Sequence, residues 1–340
     1  MSEALETVGF TRPKIRALAP WFGGKRTMAP AIVEELGTHT QYFEPFVGGC
    51  SILFFKPIAQ KETVCDLHGD LTNLARVCSV IETAEQLWQR LSIAVMSDGL
   101  VQDARAFLEA SEPSDEADID RAFWYFIASW MCRNGTAGTA RMDYQLAVRW
   151  TKSGGSPVIR FRNAVDSIPQ WHRRLQNVVI CRRNAFEIID RFEDCKETAI
   201  YADPPYAIET RSMVDKKASS GSYKHEFRHS NKHDALGALF GAEPDIDDHE
   251  RLARAMRAYK HARIVVSAYD CPRYRELFEG WTFVSHTTTK RVHAQNGRGA
   301  PVLDAPEVLI INGPSLAKEH NDGNPDSDGD EFETDQDSQT

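Results

Sequence analysis

Three observations predict an α/β fold in which a mainly parallel sheet lies between two layers of helices. Short β-rich runs alternate with helical ones, several of those runs read as buried strands, and glycine, carboxylate or proline signals follow directly on strand ends. The first strand is "QYFEPF" (41 to 46), which leads through the glycine turn "VGGCS" into the apolar helical run "ILFF". "ETVCD" is a second β-rich segment and ends on Asp66. Residues 70 to 130 read as helical, with "AEQLWQRL" and "RAFWYFIASW" spacing apolar residues at helical intervals around the acidic linker "EPSDEADID". Residues 131 to 177 are Gly-, Arg- and Ser-rich with weak periodicity, which predicts an inserted loop region. Strand character returns at "VVIC" (178 to 181) and "TAIYA" (198 to 202). Asp247 is placed to cap a helix, with Glu250 three residues on and Leu252, Ala255, Met256 and Tyr259 along one face. "RIVVS" follows as a strand, Pro272 opens the short helix "PRYRELFE" before Gly280, and "WTFVSH" and "PEVLIIN" complete the sheet.

Bulk composition narrows the class. At 340 residues and 42% hydrophobic, the chain can bury a core without staples. No run of apolar residues is long enough to span a bilayer, and "MSEALETVGFTRPKIRALAP" lacks a basic, then apolar leader, so a cytoplasmic protein is expected. The 7 cysteines are an odd number with no C-x-x-C pair, which argues against a disulfide framework or a cysteine zinc site. The net charge of -9 is concentrated at one end: residues 313 to 340 hold nine acidic residues and one lysine. That segment is too acidic and apolar-poor to fold alone. Residues 131 to 183, by contrast, hold ten Arg/Lys against Asp143 and Asp166, the shape of a polyanion-binding surface.

The chemistry is expected at the carboxyl ends of the strands, where open α/β sheets bind ligands. Gly48 and Gly49 would let the backbone approach a ligand, and Asp66 stands where a carboxylate commonly holds ribose hydroxyls, which together describe a nucleoside-cofactor site. "YADPPY" (201 to 206) is more specific. Pro204 and Pro205 stiffen the turn, so that Asp203 and the Pro204 carbonyl form two acceptors converging on one point. Two acceptors suit an NH₂ group, and Tyr206 offers a face on which a planar ring can stack. An exocyclic amine on an aromatic base fits that combination.

"PWFGGK" (20 to 25), "FEPFVGGCSILF" (43 to 54), "CDLHGDL" (65 to 71), "YADPPY", "YKHE" (223 to 226) and "PEVLIIN" (306 to 312) resemble, in this order, the motifs of Dam-type DNA adenine-N6 methyltransferases, the α-ordered group of amino-methyltransferases. The resemblance implies a Rossmann-like, three-layer methyltransferase sandwich with an inserted helical and loop DNA-recognition region. It divides the chain into a catalytic core (18 to 75 and 178 to 312), a recognition insertion (76 to 177) and an acidic tail (313 to 340). It implies S-adenosylmethionine as cofactor and N6 of a flipped adenine in double-stranded DNA as acceptor, with no metal and no membrane association, in the setting of DNA methylation and restriction-modification. Trp21 and Lys25 match the N-terminal cofactor motif, Phe46 to Gly49 the glycine loop, and Asp66 the ribose carboxylate. Asn184 and Phe186 fall where an Asp and an apolar residue often meet the cofactor's adenine; the amide oxygen of Asn184 can still accept a hydrogen bond. Asp203, Pro204, Pro205 and Tyr206 would form the reaction centre. Arg133, Asn134, Arg141, Arg149, Arg160 and Arg162 are candidates for DNA, by phosphate or by guanine edge. "CRNGTAGTAR" matches the family's Asn-Gly segment only loosely, so target sequence, nuclease partner and oligomeric state stay open.

Other readings compete. The core suits another amine, such as RNA adenine or cytosine N4, or a module that senses cofactor without turnover. "HEFRH" (225 to 229) fits the H-E-x-x-H zinc pattern, but its polar surroundings are poor for the helix that the motif needs. Ser51 lacks the G-x-S-x-G elbow of a nucleophilic serine.

Overall fold

The computed structural model describes residues 13–132, 142, 144–148, 155–206, 225, 247–286 and 307–317. Seven strands form one sheet: β1 (Gln41–Glu44), β2 (Lys61–Cys65), β3 (Val179–Cys181), β4 (Thr198–Ala202), β5 (Arg263–Tyr269), β6 (Thr282–His286) and β7 (Glu307–Ile311). Their order is β3-β2-β1-β4-β5-β7-β6, parallel from β3 to β5, with β7 antiparallel between β5 and β6. Phe43 pairs with Thr63 on one side and Ile200 on the other, so β1 and β4 lie side by side where the strand order reverses. A crevice opens outside the strand ends at such a point.

Alternation along the strands builds the three layers. Tyr42, Val64, Tyr201, Val265 and Leu309 face one apolar cluster, while Phe43, Cys65, Ile200, Val266 and Val308 face the other. The first face is covered by α1 (Ala29–Leu36), α2 (Ser51–Phe55) and α3 (Gly69–Ser79), the second by α9 (Asp248–Ala258) and α10 (Pro272–Leu277). As the sequence predicts, the Asp247 carboxylate caps α9 by accepting from the His249 and Glu250 amides at 3.0 Å each.

The helices α4 (Ile81–Ile93), α5 (Asp98–Ala110), α6 (Ile119–Met131), α7 (Pro157–Asp166) and α8 (Ile168–Leu175) share the first apolar cluster rather than enclosing one of their own. The last two correct the expectation of an inserted loop over 131 to 177. Pro157 and Pro169 stand in their first turns, and Ser156 accepts from the Ile159 amide, so the start signals were present although the apolar spacing is weak. Buried polar contacts fasten this layer to the sheet. Glu62 on β2 accepts from Lys56 Nζ (2.5 Å) and from both terminal nitrogens of Arg174 on α8. Asp70 at the start of α3 accepts from Arg121 Nε of α6 at 2.5 Å. Trp130 and Trp171 donate their indole N–H to the carbonyls of Leu18 (3.0 Å) and Ile15 (2.7 Å), holding the segment that leads to Trp21 and Lys25.

Cys50, Cys65, Cys78 and Cys132 are buried and all seven cysteines are free. Among the described residues no helix is long and apolar enough to cross a membrane.

Candidate active site

The loop after β1 is built around one glycine. Gly48 has φ +47°, and a Cβ there would lie 2.6 Å from Trp21 Nε1, so only glycine lets the Trp21 ring close on the loop. The Leu18 amide donates to the Gly49 carbonyl at 2.9 Å, tying the N-terminal segment to the same turn. Cys50 follows with φ +63° and begins α2.

Asp66, just beyond β2, pins this loop from the other side. Its two oxygens accept from the Gly48 amide (2.9 Å) and the His68 amide (2.8 Å). Burial raises the pKa of this carboxyl, and the amides of His68, Gly48 and Leu67 oppose that shift by stabilising the anion. The carboxylate keeps accepting capacity beyond these amides, which suits a ribose hydroxyl. His68 packs edge-on to Trp21 with ring centroids 5.3 Å apart, a wall that sequence reasoning missed because histidine at a helix N-cap carries no distinctive spacing.

Past β3, Asn184 caps a 3-10 turn (Ala185–Glu187), its side-chain oxygen accepting from the Phe186 amide at 3.1 Å. Phe46 and Phe186 pack against the same cluster under the second face of the sheet, and the Arg251 guanidinium lies 4.4 Å from the Phe186 ring centroid. Two aromatic rings that the sequence separates by 140 positions thus pack against one cluster.

Beyond β4 the second half of the site assembles. Lys25 is only 4% exposed, and its Nζ lies 2.9 Å from Asp203 Oδ2, 2.7 Å from the Gly23 carbonyl and 4.8 Å above the Tyr206 ring. Tyr206 is 5% exposed and meets Tyr269, at the end of β5, in a T-shaped contact of 4.5 Å. Glu44, the last residue of β1, is buried and accepts from the Tyr42 hydroxyl at 2.8 Å. Burial pushes its carboxyl up to about 8, opposed by the Tyr42 hydrogen bond and raised further by Asp203 nearby. Asp203, Pro204, Pro205, Tyr206, Trp21, Lys25, Phe46, Gly48, Gly49 and Asp66 therefore lie at or against the ends of β1, β2 and β4, where carboxylates and carbonyls accept, Lys25 donates and aromatic rings offer faces.

The candidates for DNA divide differently. Arg133, Asn134, Arg141 and Arg149 lie outside the described residues. Arg160 donates to the carbonyls of Trp130 and Cys132 at 2.9 Å each. Arg162 donates to those of Leu91 (3.3 Å), Ser92 (2.8 Å) and Ala94 (2.8 Å). Both guanidiniums thus satisfy carbonyls at helix ends. Of "HEFRH" only His225 is described, 6.3 Å from His68 ring to ring, and the described residues contain no cluster of metal-ligating side chains.

Comparison with known proteins bears on this arrangement. The family model of the D12 class N6 adenine-specific DNA methyltransferases matches residues 21–292. The chain is 25% identical over 328 residues to the Type II methyltransferase M.MjaIII of Methanocaldococcus jannaschii, an alignment covering 88% of this chain and 99% of that protein. It is 34% identical over 79 residues to the Type II methyltransferase M1.LlaDCHI of Lactococcus lactis subsp. cremoris, covering 23% of this chain and 27% of that protein.

Proposed function

This chain belongs to the D12 class of N6 adenine-specific DNA methyltransferases, and from that premise we propose how its residues divide the work. The reaction is site-specific methylation of adenine in DNA with a donor of the S-adenosylmethionine type. When bound, the donor supplies an electrophilic methyl group on sulfonium sulfur.

We assign S-adenosylmethionine itself to the crevice between the glycine loop and Asp66. The fit rests on the chain's own atoms: Gly48 leaves room against Trp21, Asp66 is anchored by two amides and retains lone pairs for ribose hydroxyls, and Phe46 and Phe186 offer apolar faces to a purine. Asn184 spends one lone pair of its amide oxygen on its cap and keeps the other to accept from the purine edge.

Asp203 and the Pro204 carbonyl accept from the two N–H bonds of the target amine. The N6 lone pair of adenine is delocalised into the ring and is a poor nucleophile; those two hydrogen bonds favour a more tetrahedral nitrogen as charge develops. Lys25 grips one oxygen of Asp203 and so aims the carboxylate. Holding amine and methyl in line removes on the order of 7 to 11 kcal/mol of barrier in favourable model systems. Because N6 is stacked inside a duplex, the base is flipped out, and Tyr206 stacks on it. We take residues 18 to 75 and 178 to 312 as the catalytic core and 76 to 177 as the recognition region acting on double-stranded DNA. Both relatives are Type II methyltransferases by name, and we extend to this chain a place in a restriction-modification system.

The observation that carries the mechanism is the meeting of Lys25, Asp203 and Tyr206 at the switch point of the sheet. Labelled donor incubated with duplex DNA, RNA and protein is expected to mark adenine N6 of the duplex alone. Asp203→Ala should lower kcat by about 10²- to 10³-fold, and Asp66→Ala should weaken donor binding measured by calorimetry. An Asp203→Ala enzyme that turns over at the normal rate would sink the mechanism.

A further inference from the structure

We propose that Tyr269 is a positioning residue for methyl transfer: its ring sets the tilt of Tyr206 and hence the plane on which the target adenine stacks. The inference rests on the reading of Tyr206 as the stacking partner.

The argument begins with register. Ala202 at the end of β4 lies opposite Val266 on β5, so the continuation of each chain toward Tyr206 and Tyr269 starts from neighbouring strands. Tyr206 is four positions beyond that pair and Tyr269 three beyond it, and their rings meet at 4.5 Å with 68° between planes. Pro204 and Pro205 stiffen the backbone leading into Tyr206 but leave its side-chain torsions free. Something else must choose the ring orientation.

Lys25 and Tyr269 are among the groups that contact that ring. Lys25 Nζ lies over it at 4.8 Å, but a compact ammonium is attracted over a wide range of approach directions to the face and so fixes the tilt only loosely. A T-shaped aromatic neighbour does constrain tilt, since the quadrupoles favour edge against face. Tyr269 itself is held firmly, being the last residue of a seven-residue strand and paired across β5 and β7 with buried Glu307. The antiparallel insertion of β7 thus reaches the reaction centre through one ring.

The test uses the full-length enzyme and a duplex with 2-aminopurine at an adenine that the enzyme methylates, so that base flipping is read as fluorescence. Tyr269→Leu, which keeps apolar bulk, and Tyr269→Ala are expected to lower the flipped-base signal and kcat/KM by about threefold to tenfold. Donor affinity should stay at its wild-type value, Tyr269→Leu should melt within a few degrees of wild type, and Tyr269→Phe should restore both lost readouts. In a Tyr206→Ala background, a Tyr269 substitution should add nothing. Wild-type fluorescence and kinetics in Tyr269→Leu, beside a clear loss in Tyr206→Ala, would overturn this inference and leave the stacking role intact. A silent Tyr206→Ala would overturn the stacking role and this inference with it.

Discussion

Glu44 and Asp203 are two carboxyl groups at the ends of neighbouring strands, and their environments differ. Glu44 is 2% exposed and held protonated up to about pH 8, whereas an unfolded glutamate releases its proton near 4. Between those values the native state binds one more proton than the unfolded chain, so stability falls as pH rises through that window. Lys56 and Arg174 pull the other way without reversing the shift. Glu44→Gln keeps an acceptor for the Tyr42 hydroxyl and removes the titration. Urea unfolding from pH 5 to 8 should therefore show a flatter pH dependence in the variant, by on the order of a few kcal/mol at the upper end. Parallel curves for the two proteins would show that Glu44 is ionised throughout. None of this is legible in "FEPF", because the burial of Glu44 depends on which strands and side chains close over it.

At the scale of elements, the Glu62, Lys56 and Arg174 cluster joins β2, the end of α2 and α8. Glu62 is buried, and the Arg174 Nε also donates to the Leu53 carbonyl at 3.0 Å in α2. The helix α8 is thus bolted to the short helix that follows the glycine loop. Arg174→Met should cost about 3 to 5 kcal/mol in denaturant unfolding, because it strips a buried carboxylate of its bidentate partner. A loss below 1 kcal/mol would mean that Lys56 alone satisfies Glu62. The strands were legible because β-branched and aromatic runs end in glycine, aspartate or proline; "TAIYA" matches β4 residue for residue. The helices α7 and α8 were not, since arginines such as Arg160, Arg162 and Arg174 occupy positions that look solvated until their partners are known.

Across the whole molecule, the charge of the 131 to 183 stretch is not all available to a polyanion. Arg160, Arg162 and Arg174 spend their guanidiniums on carbonyls and on Glu62, so the count of ten basic residues overstates the DNA-facing charge. Arg162→Ala should lower stability by about 1 to 3 kcal/mol through the carbonyls it leaves unsatisfied. It should leave the slope of log K for DNA against log salt unchanged. A slope smaller by about one unit would instead assign Arg162 to a phosphate.

The sequence by itself determined the alternating βα plan, the strand ends to which the chemistry is assigned by proposal, and the family, because those depend on local pattern and on residue types in a fixed order. Tertiary structure alone decided which charges are spent inside the protein, that Lys25 reaches Asp203 across 178 positions, and that Tyr269 meets Tyr206. Those facts depend on which strands become neighbours. Adjacency of β1 with β4, and of β4 with β5, arises from long-range pairing that no local periodicity encodes.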